Sequence, residues 1–229
     1  MKSYYDNFPK HFVALDCIIF GFDEGELKLL VVKRDLVPAR GQWSLMGGFL
    51  ELNENLKSAA QRILHNLTGL KNVFMEQLFT FGEVDRDPGE RTVSVAYFAL
   101  LKIEDYDKDL VSLNSAQWFP MSEVPELIFD HNTMVNKALK RLRRKARVRP
   151  IGFELLPKKF TLPQLQSLYE AIYNKTYDKR NFRKKILSTG LLVKHEEKDK
   201  LNSRKGAFLY SFDKKKYKVL ANEGFNFEI

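Results

Sequence analysis

Two sets of side chains in this sequence could do chemistry. The first is a scatter of carboxylates between residues 51 and 90. Glu51 and Glu54 follow a glycine pair, Gly47-Gly48, and Asp85, Asp87 and Glu90 crowd a loop marked by Pro88-Gly89. Carboxylate oxygens are the ligands a hard divalent cation takes, and such a cation can neutralise phosphate and activate water. The second set is the run Asp178-Lys179-Arg180-Asn181-Phe182-Arg183-Lys184-Lys185. Arg180, Asn181, Arg183 and Lys184 are candidates for reading base edges, since arginine pairs with guanine and asparagine with adenine. Lys179, Lys185, Arg204 and Lys205 are candidates for phosphate, a contact that positions without specifying.

The elements that must hold these residues follow from periodicity. Residues 12–22 are apolar and β-branched, Asp23-Glu24-Gly25-Glu26 turns the chain, and residues 27–33 return, which predicts a hairpin. Residues 55–67 set Leu56, Ala59, Ala60, Ile63 and Leu67 on one helical stripe that Gly69 ends. Strands follow near 74–83, 92–103 and 116–120, then a basic helix from His131 that Pro150 stops. Beyond it, Thr161 and Gln164 form a capping-box signature, and Asp178 can cap a second helix with Phe182 and Ile186 inward. Gly190 ends that helix, and residues 191–194 and 207–212 read as a strand pair. Helix, turn, basic helix and hairpin in that order describe a winged helix-turn-helix.

Charge divides the chain at the same place. Residues 1–140 carry 15 Lys and Arg against 20 Asp and Glu, a balance of −5, whereas residues 141–229 carry 23 against 9, a balance of +14. Such asymmetry is the footprint expected when one domain meets nucleic acid. No signal peptide is expected from the N-terminal residues, which lack an apolar stretch, and no apolar run in the sequence is long enough to span a membrane. The single Cys17, in the apolar run VALDCIIF, cannot form an internal disulfide and reads as a small buried hydrophobe. The expectation is a cytoplasmic protein with no membrane partner.

Trp43-Ser44-Leu45-Met46-Gly47-Gly48-Phe49 resembles the entry to the Nudix box, with Met46 where proline is usual. Gly48, Glu54, Arg62, Leu64, Gly69 and Leu70 fall at the box's matching positions, and Phe129-Asp130-His131 also recurs among Nudix relatives. The resemblance places three metal-binding glutamates at 63, 66 and 67, where this chain has Ile63, Asn66 and Leu67. Hydrolysis is therefore not expected, and no cofactor or metal is assigned. Asp85, Asp87 and Glu90 read as a solvated turn; a hydrolase with ligands relocated onto them is the alternative.

The second half is similar to the Nudix-related transcriptional regulators. The residues that carry this likeness are Phe153–Pro157, Phe160–Gln166, Leu168–Ile172 and above all the run 178–185. The resemblance implies an α+β chain: a Nudix-type α/β/α sandwich with mixed sheet in residues 1–148, then a winged helix-turn-helix in 149–229. It implies a homodimer on double-stranded, palindromic operator DNA, released or retained by a small effector in the Nudix cleft. Lys33, Arg34, Trp43, Glu51, Glu83, Arg86 and His131 are the expected pocket residues. Relatives respond to ADP-ribose or to pentoses. A pentose such as arabinose is favoured here, because the acidic half offers few cations for a diphosphate. An RNA-binding module is a third reading, and equal affinity for RNA and operator DNA would favour it.

Overall fold

A computed structural model describes residues 4–69, 73–103, 115–200, 206–225 and 227. The first half is built on strand β1 (Phe12–Asp23), whose middle is wholly buried. β2 (Glu26–Lys33) returns antiparallel to it, turning at Glu24 and Gly25, both with positive φ. β6 (Thr92–Lys102) lies parallel on the other side, in register from Phe12 opposite Thr92 to Phe22 opposite Lys102. The stretch from Trp43 divides into β3 (Trp43–Ser44), paired with β2, and β4 (Met46–Phe49), paired with β1. β5 (Met75–Phe81) and β7 (Ala116–Pro120) complete a mixed sheet of order β3-β2-β1-β6-β5, with β4 on β1 and β7 on β2.

A helix covers each face. α1 (Leu56–Thr68) is capped by the Asn55 side chain, which accepts from the Ser58 amide at 2.9 Å, and ends at Gly69 with φ 72°. Its Ala59, Ala60, Ile63 and Leu64 close one core against Leu15, Cys17, Ile19 and Met46. α2 (His131–Val148) buries Met134, Val135, Ala138 and Leu142 on the opposite face, against Ile18, Phe20 and Phe98. Alternate residues of β1 therefore feed two different cores, as the period of a strand dictates.

The second half contains a 3-10 turn (Ile151–Leu155), β8 (Phe160–Thr161), α3 (Leu162–Tyr173), α4 (Lys179–Ser188), β9 (Leu192–Asp199), β10 (Ala207–Phe212) and α5 (Lys214–Asn222). Thr161 and Gln164 cap α3 reciprocally, and Asp178 caps α4 by accepting from the Asn181 amide at 2.9 Å. β8, β10 and β9 form a small antiparallel sheet, so the module is a winged helix. β9 runs five residues past the expected end at 194; its outer part, His195-Glu196-Glu197-Lys198-Asp199, has no apolar residue to mark it as a strand. Helix α5, capped by Asp213, also escaped the reading; its lysine-rich sequence buries no residue.

One apolar core runs through both halves. Phe153 stacks on Phe212 at 4.4 Å between ring centres and meets Phe160 and Phe227. The same cluster continues through Leu155 and Leu168 to Phe20 and Leu29 of the first sheet. Two hydrogen bonds fasten the joint: Arg143 Nε donates to the Ile172 carbonyl at 2.7 Å, and the Tyr173 hydroxyl donates to the Arg143 carbonyl at 3.0 Å. A shared core unfolds as a unit. Calorimetry is expected to record one transition for both halves, and Phe153→Ala is expected to cost about 3–5 kcal/mol through the cavity it leaves.

Candidate functional site

Beside β1 the sheet opens into a cavity of about 220 Å³, walled by Lys33, Arg34 and Asp35 on one side and the Gly47-Gly48 backbone on the other. Asp16, Phe129 and His131 line it, and Asp87 stands among the lining residues. Gly47 is small for a reason: a Cβ there would lie 2.6 Å from Asp16 Oδ1. The carboxylate of Asp16 thus packs against bare backbone, which only glycine permits.

Behind the cavity is a buried charge network. Arg86 is only 6% exposed and grips Asp130 with two bonds, Nε to Oδ2 at 3.0 Å and Nη2 to Oδ1 at 2.8 Å. The same Nη2 lies 3.6 Å from Asp16 Oδ2, and that oxygen also accepts from the Ser94 hydroxyl at 2.5 Å. His131 Nδ1 accepts from the Leu45 amide at 3.1 Å. This leaves the ring proton on Nε2, which faces Asp16 Oδ1 at 3.6 Å. Burial pulls the His131 pKa below its ordinary value of 6.5, outweighing the nearby carboxylates of Asp16 and Asp130, so the ring is neutral at pH 7.

Lys33, Arg34 and His131, expected at the pocket, line it. Lys33 Nζ sits 5.2 Å above the Trp43 ring. Arg34 lies 5.4 Å over Phe129 and donates to the carbonyls of Leu36 and Pro38, which holds its loop. Four others are placed elsewhere. Trp43 turns into the core, edge-on to Phe119. Glu51 is exposed and pairs with Arg62 at 3.3 Å. Glu83 is exposed outside the cavity, its carbonyl accepting from Arg91. Arg86 lies behind the wall rather than on it. Asp16 and Ser94 escaped the sequence reading, and Phe129 and Asp130 were noted only as part of the Phe129-Asp130-His131 motif, without a place at the pocket. For Asp16 the available signal was a carboxylate inside a strand of buried apolar residues.

The box residues keep the frame and lack the ligands. Arg62 clasps Glu54 with bonds of 2.9 and 2.6 Å and donates to the Phe49 carbonyl at 3.0 Å. This pairing holds Glu54 down to a pKa of about 2. Ile63, at a position where the Nudix pattern has glutamate, is buried with its Cδ1 3.2 Å from where a Gly48 Cβ would lie. Asparagine and leucine occupy the other two positions. Among the described residues no group of three or more His, Cys, Asp or Glu could hold a metal ion, and an Ile-Asn-Leu set does not fit magnesium. Asp85 and Glu90 are exposed, and Asp87 spends Oδ1 on the Gly89 amide at 2.9 Å.

On the winged helix, Lys179, Arg180, Asn181, Arg183, Lys184 and Lys185 all stand exposed on α4 while Phe182 and Ile186 pack inward. Arg204 and Lys205 lie outside the described residues. No described helix is long and apolar enough to cross a membrane.

Two outcomes follow from the charge network. Arg86→Ala leaves two carboxylates without their cation and is expected to cost about 3–5 kcal/mol in denaturant unfolding. His131 has a folded pKa below the unfolded one, so the unfolded chain binds the extra proton. Its stability contribution is present above pH 6.5 and is lost as pH falls through the folded value, with a slope of at most about 1.4 kcal/mol per unit. Urea titrations across pH 5–8 are expected to show this dependence flattened in His131→Gln.

Comparison with known proteins agrees with this architecture. The NUDIX domain pattern matches residues 10–141, and that of the NrtR DNA-binding winged helix domain matches residues 152–212. The chain is similar to the ADPR responsive transcriptional repressor NtrR of Acinetobacter baylyi, 31% identical over 225 residues, covering 96% of this chain and 87% of that protein. It is similar in structure to Shewanella oneidensis NrtR complexed with a 27mer DNA, at TM-score 0.77 and 30% identity, covering 87% of this chain and 93% of that one. The NUDIX domain of the same Shewanella oneidensis protein, complexed with ADP ribose, matches 59% of this chain and 91% of its own at TM-score 0.54 and 31% identity. With a Nudix sandwich stripped of its metal ligands and a winged helix behind it, the chain belongs to the NrtR family of Nudix-related transcriptional regulators.

Proposed function

We propose that this protein binds operator DNA through α4 as a homodimer and that an ADP-ribose-class nucleotide in the Nudix pocket, bound but not hydrolysed, changes its affinity for that DNA. The observation that carries the reading is the pairing of an intact pocket with Ile63 at a metal-ligand position, on a chain whose exposed helix α4 offers cations and an amide. The pentose favoured by the sequence gives way to the nucleotide. The acidic balance of the whole domain is a poor guide to this cleft, because Lys33 and Arg34, both expected there, line it together and offer a diphosphate its cationic partners. Phe129 offers an apolar ring at the same wall, and Asp35 and Asp87 offer acceptors to ribose hydroxyls. The similar Acinetobacter baylyi repressor is ADPR responsive, and the similar Shewanella oneidensis NUDIX domain forms a complex with ADP ribose.

Helix α2 supplies a route between the sites. Its first residue, His131, and the preceding Phe129 line the pocket, and its far end holds α3 through Arg143. The helix is about 27 Å long. A ligand that favours one placement of its N-terminus over another biases the winged helix at its other end.

ADP-ribose is expected to raise the melting temperature, because it binds only the folded chain, while arabinose and xylose leave it unchanged. The nucleotide is expected back intact after incubation with magnesium; turnover would contradict the account. Lys33→Ala with Arg34→Ala is expected to weaken nucleotide binding about tenfold or more, as loss of charge-assisted hydrogen bonds does. Selection from a random-sequence duplex library is expected to enrich a palindrome, and Arg180→Ala with Arg183→Ala is expected to abolish the enrichment. Enrichment of single-stranded RNA instead would overturn the operator reading.

A further inference from the structure

Helix α2 carries seven Lys and Arg in eighteen residues and not one Asp or Glu. This is anomalous in its surroundings, since residues 1–130 hold 13 cationic and 20 acidic side chains. Solvated helix faces usually mix the two signs, because like charges four residues apart repel. Here Lys140 and Arg144 stand four apart and Arg147 follows three later, all exposed on one stripe. The helix's other cations have occupations. Arg141 and Lys145 reach Glu76, Arg143 ties down α3, and Lys137 lies 3.7 Å over the Phe79 ring. Lys140, Arg144 and Arg147 have no carboxylate at ion-pair distance among the described residues.

The stripe also runs in a useful direction. Arg143, the neighbour of Arg144, meets α3 at this end: its Nε donates to the Ile172 carbonyl and its carbonyl accepts from the Tyr173 hydroxyl. Tyr173 is the last residue of α3, and residues 174–178 then turn directly into α4. In a helix-turn-helix the start of the second helix enters the major groove. The cations of α2 therefore continue the basic surface from the DNA-facing turn back along the Nudix domain. On its flank a shallow depression is lined by Phe79, Lys137, Lys140 and Arg144.

We propose that Lys140, Arg144 and Arg147 form a second DNA-contacting surface, which grips the phosphate backbone beside the segment held by α4. It rests on the winged-helix reading above and adds to it. The Nudix domain is then not only a sensor carried by the DNA-binding domain. It touches the duplex itself, so that any movement of α2 changes the number of phosphate contacts directly. These contacts carry no base preference, because they reach only backbone oxygens.

The test uses the full chain and a long mixed-sequence duplex, with binding followed by fluorescence anisotropy across a range of KCl concentrations. Each phosphate contact contributes about 0.9 to the slope of log affinity against log salt. The variant Lys140→Gln/Arg144→Gln/Arg147→Gln is expected to bind with a slope shallower by about 2.7 per bound protomer. A charge-keeping variant, Lys140→Arg/Arg144→Lys/Arg147→Lys, is expected to keep the wild-type slope. An unchanged slope in the glutamine variant overturns the proposal, as it would if the stripe served an acidic protein partner instead. An equal loss in the charge-keeping variant overturns it too, by showing that shape rather than charge was at stake. The two readings separate cleanly. Wild-type protein that ignores duplex DNA removes the winged-helix assignment and this surface with it, whereas DNA binding that needs Arg180 and Arg183 but not the stripe removes this surface alone.

Discussion

A single buried guanidinium ties the Nudix half together. Arg86 bridges Asp130, which begins helix α2, and Asp16, which stands in the central strand. Taking these charges out of water is costly, and the bidentate geometry with Asp130, together with the Ser94 hydroxyl on Asp16, offsets that cost. The arrangement fixes the start of α2 against the sheet and turns His131 so that its Nε2 proton faces Asp16. Asp16 and His131 are the members of this network that line the cavity.

The same region keeps the Nudix frame without the metal ligands of its helix. The Glu54–Arg62 clasp keeps the loop before α1 closed upon the helix, so the Nudix frame survives the loss of its metal ligands. Ile63 then fills with methyl groups the space beside Gly48. A cleft so built keeps its shape, its cations and its apolar wall, while the oxygen ligands that would hold magnesium beside a diphosphate are missing from α1.

The parts of the fold that were legible in the sequence are those decided locally. The Thr161–Gln164 box, the Asp178 cap and the Gly69 stop are each made by residues within four positions of one another. Helix α4 was legible because Phe182 and Ile186 bury one face and leave the cations on the other. The pocket was legible only in part. Lys33, Arg34 and His131 line the cavity, but Trp43, chosen as an aromatic wall, packs edge-on to Phe119 from a distant strand. Arg86 sits in a loop whose charge pattern reads as solvated, and its partner is 44 residues away. No local pattern announces such a pairing. The long outer part of β9 and helix α5 were missed for a related reason: their charged sequences bury too little to show a period.

The apolar core that crosses the joint gives the pocket and the winged helix a mechanical connection, since α2 packs against both. Coupling of this kind is reciprocal: a nucleotide that alters DNA affinity must have its own affinity altered by DNA to the same factor. The most direct measurement is a calorimetric titration of ADP-ribose into the protein alone and into its saturated complex with selected operator duplex. The account predicts two different dissociation constants whose ratio equals the change that ADP-ribose makes in operator affinity. Identical constants in the two titrations would contradict it.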